Sequence, residues 1–147
     1  MPDRPALWRH LLAMVYDTFL VAPLLMANAF VLVTVFGPTA SATEPAVPTW
    51  LMQITSLMVI FAFFILFWRK SGQTLGMQAW RIKLVDEQGQ PVGVRQGLTR
   101  CAAALLSLLP LGLGYWWSLL DVDRLSWHDH LSGSRLQLVP KKKLPPA

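Results

Sequence analysis

Residues 9–37 read RHLLAMVYDTFLVAPLLMANAFVLVTVFG, a nearly unbroken apolar run that nevertheless holds an aspartate, Asp17, eight positions after Arg9. A run of about 18 or more apolar residues has the length of a bilayer-spanning helix. Outward from it the pattern repeats: no charge occurs from Thr18 to Thr43, from Pro45 to Trp68, or from Cys101 to Leu120. With 147 residues, 54% of them hydrophobic and only 14% charged, the chain reads as one α-helical membrane domain with three hydrophobic segments. The first segment exceeds the roughly 7 to 15 apolar residues of a secretory signal core and carries Asp17, which argues against a cleaved leader. The single cysteine, Cys101, excludes an internal disulfide framework.

Topology follows from the thirteen Lys and Arg, because short loops rich in them stay cytoplasmic. Arg4 and Arg9 hold the N-terminus inside, the connection from Gly37 to Thr49 has no basic residue, and Arg69-Lys70 mark the return after a second segment bracketed by Trp50 and Trp68. These signals give membrane helices over 7–36 and 50–68 in a multi-pass protein of the cell inner membrane, with both termini cytoplasmic. The net charge of +5 lies beside the membrane segments, so anionic lipid headgroups are its expected partner and nucleic acid is not.

WRIKLVDEQGQPVGVRQ, residues 80–96, alternates Trp80, Ile82 and Leu84 with Arg81, Lys83 and Val85 and then turns, which predicts a cytoplasmic β-hairpin. A lone hairpin is only marginally stable, so RLQLV at 135–139 is expected as its third strand. That strand can reach the hairpin only if the third hydrophobic segment, 99–120, returns to the same side. LLPLGLG interrupts it with Pro110, Gly112 and Gly114, favouring a re-entrant hairpin over a kinked span. A basic tail, 140–147, follows.

A charged side chain near the bilayer centre costs at least about 2.5 to 3.5 kcal/mol, so Asp17 should face protein, meet a cation, or be protonated. Asn28, eleven residues on, returns to nearly the same helix face. In SWHDHLSGSR, residues 126–135, Asp129 lies between His128 and His130, with Gly133 placed to end a short helix. The two histidines offer a weak metal reading, because the usual ligand spacing is missing; Asp129 capping that helix or pairing with an arginine is the plainer one. In GQTLGMQ, behind Arg69 and Lys70, Gly72 and Gly76 bracket Thr74, a turn whose amides suit a lipid headgroup or a carboxylate, or which simply joins helix to strand.

Taken together, Arg9, Asp17 and Asp129 in WHDHLSGSR, with GQTLGMQAWRIKLVDEQGQPV at 72–92 and Arg100, resemble the RDD family of membrane proteins, named for one arginine and two aspartates. Met77 stands where the family usually has a basic residue, and Ser134 where Thr is common. The resemblance implies cation/proton antiport in some members and accessory or assembly roles in others.

Two expectations follow. In the first, Asp17 exchanges a proton and a small cation, biased by Arg9 or Arg100, within a homo-oligomer, since three segments enclose no path alone. In the second, Arg9, Arg100, Asp17 and Asp129 form one charged latch in a non-transporting assembly subunit that docks a membrane-protein partner. No nucleophile with a base, metal triad or phosphate loop argues for an enzyme, and no cofactor is expected.

Overall fold

A computed structural model describes residues 5–37, 46–108, 116–121 and 125–140. Helix α1 (Leu7–Phe36) has 30 residues and runs through Pro23 to Gly37, whose N–H donates to the Val33 carbonyl. Helix α2 (Thr49–Ser71) ends at Gly72, which adopts the left-handed conformation (φ 71°) that only glycine enters without strain. These two helices are long and apolar enough to cross a membrane. Their outward faces expose large side chains such as Phe19, Met26 and Phe30, the surface expected of helices solvated by lipid.

At 1.5 Å per residue α1 is about 45 Å long, well beyond the ~30 Å hydrocarbon core. Its buried residues, Ala13, Asp17 and Val21, recur every fourth position in the first half, one stripe on one face. The helix therefore has a covered N-terminal part and a bare remainder. Residues after Asp17 alone supply roughly 28 Å of rise, nearly the full ~30 Å of the apolar layer. Asp17 sits where that stretch begins rather than at its centre.

The cover is a small polar module. Helix α3 (Leu75–Ala79) follows the α2 turn and packs on α1; strand β1 (Ile82–Asp86) comes next, then helix α4 (Val94–Leu108), which packs on α2. A 3-10 turn (Trp117–Leu119) and helix α5 (Trp127–Ser132) lead into strand β2 (Ser134–Leu138). The strands pair antiparallel, Ile82 opposite Leu138 and Asp86 opposite Ser134. Ile82, Leu84, Met77 and Val92 close a compact core against Ala13 of α1, Trp68 of α2 and Cys101 of α4.

The sheet corrects the expected hairpin over 80–96. IKLVD becomes a strand, but after its turn only the Gln90 carbonyl meets it, accepting from the Asp86 N–H at 2.9 Å, and the described sheet has two strands, not three. Pro91 has no N–H to offer a ladder, and the Gly93 N–H donates instead to Gln96 Oε1, 3.1 Å away. Helix α4 has already begun at Val94, so VGV is a helix entrance. The partner of β1 is the expected third strand, one residue earlier than 135–139. The break at Pro110 to Gly114, on which the re-entrant reading of 99–120 rests, lies outside the described residues, as do Arg124 and the tail from Lys141.

Candidate functional site

Asp17 is 2% exposed, and protein groups meet both of its oxygens. The Thr74 hydroxyl donates to Oδ2 at 2.5 Å, and the Gly76 backbone N–H donates to Oδ1 at 2.9 Å. Thr74 is the N-cap of α3, its Oγ1 accepting from the Met77 N–H at 3.1 Å. The carboxyl group of α1 thus completes the amino-terminal cap of a short helix distant in sequence, satisfying donors that such a helix end leaves without intrahelical partners. Gly76 is required for the approach, since a Cβ there would run into the Ala13 carbonyl oxygen and come within 2.8 Å of Asp17 Oδ1. The carboxyl group held by the GQTLG turn is therefore the chain's own, that of Asp17.

The second cluster lies between α4, α5 and β2. Arg100, 3% exposed, donates from Nη1 to Asp129 Oδ1 at 2.6 Å and to Ser134 Oγ at 2.8 Å. The other carboxylate oxygen of Asp129 accepts from the Ser126 N–H at 2.9 Å, while the Ser126 side chain accepts from the Asp129 N–H, a reciprocal capping box. Asp129 is at once a helix cap and the partner of a buried arginine. Ser132 and Ser134 share a 2.6 Å hydroxyl contact, and Gly133 between them, at φ 57°, ends α5 and turns the chain into β2. The Arg100 guanidinium also lies 5.7 Å from the centre of the Trp68 ring, within cation–π range of α2.

This setting governs the titration of α5. Burial opposes the charge on Asp129, but the Arg100 guanidinium, with smaller help from His128 and the Ser126 amide, outweighs it and holds the carboxyl below the usual range. Burial pushes His128 down to about 3, and Arg100 acts in the same direction. At neutral pH His128 is an uncharged imidazole, so its 3.9 Å approach to Asp129 Oδ1 is not an ion pair.

The expected site residues thus divide. Asp17 joins Thr74 and Gly76, whereas Arg100 joins Asp129, and no contact among the described residues links the two aspartates into one charged latch. Arg9 lies 5.1 Å over its neighbour Trp8 and pairs with neither aspartate among the described ion pairs. Asn28 donates from Nδ2 to Thr55 (3.1 Å) and Ser56 (3.4 Å) of α2, tying the two long helices further along. Arg69 and Lys70 are exposed in the last turn of α2, while Gly72 is its buried C-cap. His128 faces His10 of α1, ring centres 5.9 Å apart, and His130 points away to Asp121 at 3.5 Å. The two histidines of the H-D-H sequence do not converge, and among the described residues no group of three or more His, Cys, Asp or Glu is arranged to hold a metal.

The sequence marks Thr74 and Gly76 as part of a turn suited to a headgroup or a carboxylate but not that Asp17 fills it, and it leaves Ser134 and Trp68 unmarked as partners of Arg100. Each lies far along the chain from the charge it serves, though the cap pattern T-x-x-M at the start of α3 signals donors seeking an acceptor. No curated protein and no solved structure matches the chain. A family model described as the RDD family matches residues 4–133, a span that takes in Asp17, Arg100 and Asp129. On that match, and with two helices able to cross a membrane, the chain belongs to the RDD family.

Proposed function

We propose that the chain is a non-transporting assembly subunit of a membrane complex, in which two polar latches fix a small juxtamembrane module to its membrane helices. The observation that carries this reading is the state of Asp17. Both its oxygens are engaged by Thr74 and Gly76 in a buried contact that joins α1 to α3. A carboxyl that exchanges a cation must release such donors in every cycle, whereas a carboxyl that fastens two elements keeps them. The Arg100–Asp129 pair is of the same kind, its oxygens divided between a guanidinium and a helix cap. The charge rule sets the module, with Arg69 and Lys70 beside it, on the cytoplasmic side of the inner membrane near anionic headgroups. The bare faces of α1 and α2 are then left for lipid, a second copy or a partner helix.

Proteoliposomes test the reading. Purified wild type and a monodisperse Asp17→Asn variant are assayed for proton flux on addition of Na⁺, K⁺ or Li⁺. The assembly reading predicts no cation-dependent flux from either. In native membranes it predicts a wild-type chain that migrates within a larger complex on mild extraction and an Asp17→Asn chain that inserts but leaves it. Cation-dependent flux in the wild type that disappears in a folded Asp17→Asn would replace this reading with antiport.

A further inference from the structure

Between α1, α2 and α4 lies a cavity of about 180 Å³. Its wall is apolar along most of its length, with Met14, Phe61, Phe64 and Leu105 among the lining side chains, and His10, Arg100 and His128 contribute the polar part. Trp68 also lines it. Trp68 is 8% exposed, and its indole Nε1, buried from solvent, has no hydrogen-bond acceptor among the described residues. Buried indole N–H groups are ordinarily paired, and each one left unpaired invites an explanation such as a ligand.

The cavity and the orphan donor point to one chemistry. The apolar walls suit hydrocarbon, the indole N–H needs an acceptor oxygen, and the volume matches a stretch of chain rather than a whole lipid. Arg100 and His128 do not make the site a strong anion trap: Arg100 is balanced by Asp129, and His128 is uncharged at neutral pH. The occupant is better described by a hydrogen-bond-accepting oxygen at the end of an acyl chain than by a high charge.

We infer that this cavity is a binding site for the acyl chain of a membrane amphiphile, whose carbonyl or carboxylate oxygen accepts the hydrogen bond of the Trp68 indole. A phospholipid ester and a free fatty acid both supply that group. The site is independent of the assembly reading, because occupancy requires neither a partner protein nor flux.

The test uses the full chain in mild detergent and palmitate bearing a diazirine near its terminal methyl group. Irradiation should label peptides from α1, α2 and α4 that carry Met14, Phe61 or Leu105, and excess unlabelled palmitate should abolish the labelling. Native mass spectrometry of the untreated protein distinguishes the sources, since a retained phospholipid and a retained fatty acid differ in mass. Two variants probe the cavity itself. Ala104→Phe fills it and should abolish competed labelling. Trp68→Phe keeps a six-membered aromatic ring but removes the pyrrole ring with its N–H donor, and should weaken palmitate binding roughly fivefold to tenfold, about the effect of one hydrogen bond. Labelling confined to the lipid-facing surfaces of α1 and α2, without competition, would overturn the inference. So would palmitate affinity unchanged in both variants when each elutes and melts as the wild type does.

Discussion

The Asp17 carboxyl and the Gly76 amide meet at 2.9 Å, 59 positions apart in sequence, and the missing Cβ of Gly76 is what lets them meet. A membrane helix is thereby joined to the cap of a five-residue helix too short to persist without tertiary support. The joint explains a carboxylate in an otherwise apolar segment without requiring a passage through the bilayer.

Gly76→Ala should loosen this joint. The added methyl meets the Ala13 carbonyl and the Asp17 carboxyl, backbone and buried side chain with little room to give, and overpacking of this kind costs about 1 to 3 kcal/mol. Gly93→Ala, where a Cβ finds only Gln96 Oε1 at 4.0 Å, should change stability far less. Thermal unfolding of both variants in one detergent checks the difference.

How much of this was legible beforehand depends on the range of each interaction. The two long helices, the end of α5 at Gly133 and the strand near 135–139 were readable, because hydrophobic length, cap residues and alternation are local signals, although α2 runs on past the expected Trp68 to Ser71. The hairpin was misread because VGV looks like a strand, and only the Pro91 and Gly93–Gln96 contacts turn it into a helix entrance. Asp17, Arg100 and Asp129 stood out as charges in apolar surroundings, but their grouping did not. One latch was expected where there are two, since pairing by opposite charge overlooks a carboxyl satisfied by a hydroxyl and a backbone amide.

Asp129→Asn should be more damaging than any single exposed change. It leaves the Arg100 guanidinium buried without its counter-charge, and breaking a buried pair this way typically costs about 3 to 5 kcal/mol. Because Arg100 also holds Ser134 at the start of β2, the loss should spread into the sheet. Hydrogen exchange at the Val85 and Gln137 amides, which face across the β1–β2 ladder, should accelerate in the variant, while the amides in the middle of α2 should not change.

Acid should weaken the module through His128 and Asp129. Both have folded pKa values below their unfolded ones, so both contribute stability that is complete above the unfolded pKa and is lost as pH falls. For His128 that window opens near pH 6.5 and closes near 3, with a slope approaching about 1.4 kcal/mol per pH unit for one proton. Asp129 adds to the loss only below about pH 4. Melting temperatures from pH 7.5 down to 4.5 should therefore fall, and His128→Gln should flatten that decline.

Asn28→Leu should weaken the pairing of α1 with α2 without disturbing the module. It removes donation to Thr55 and Ser56, and interhelical hydrogen bonds within membranes average about 0.6 kcal/mol and reach about 1.7. A fall in unfolding free energy of that size, with unchanged exchange at β1 and β2, is the expected pattern.

The most direct test of the account is a double-mutant cycle between Asp17→Asn and Thr74→Val, read as unfolding free energy in a single detergent. The cycle cancels the separate loss of the Thr74 cap on Met77 and isolates the contact between the two side chains. A buried side-chain hydrogen bond predicts a coupling of about 1 to 3 kcal/mol. Effects that add to within about 0.5 kcal/mol would contradict the claim that Asp17 fastens α1 to α3.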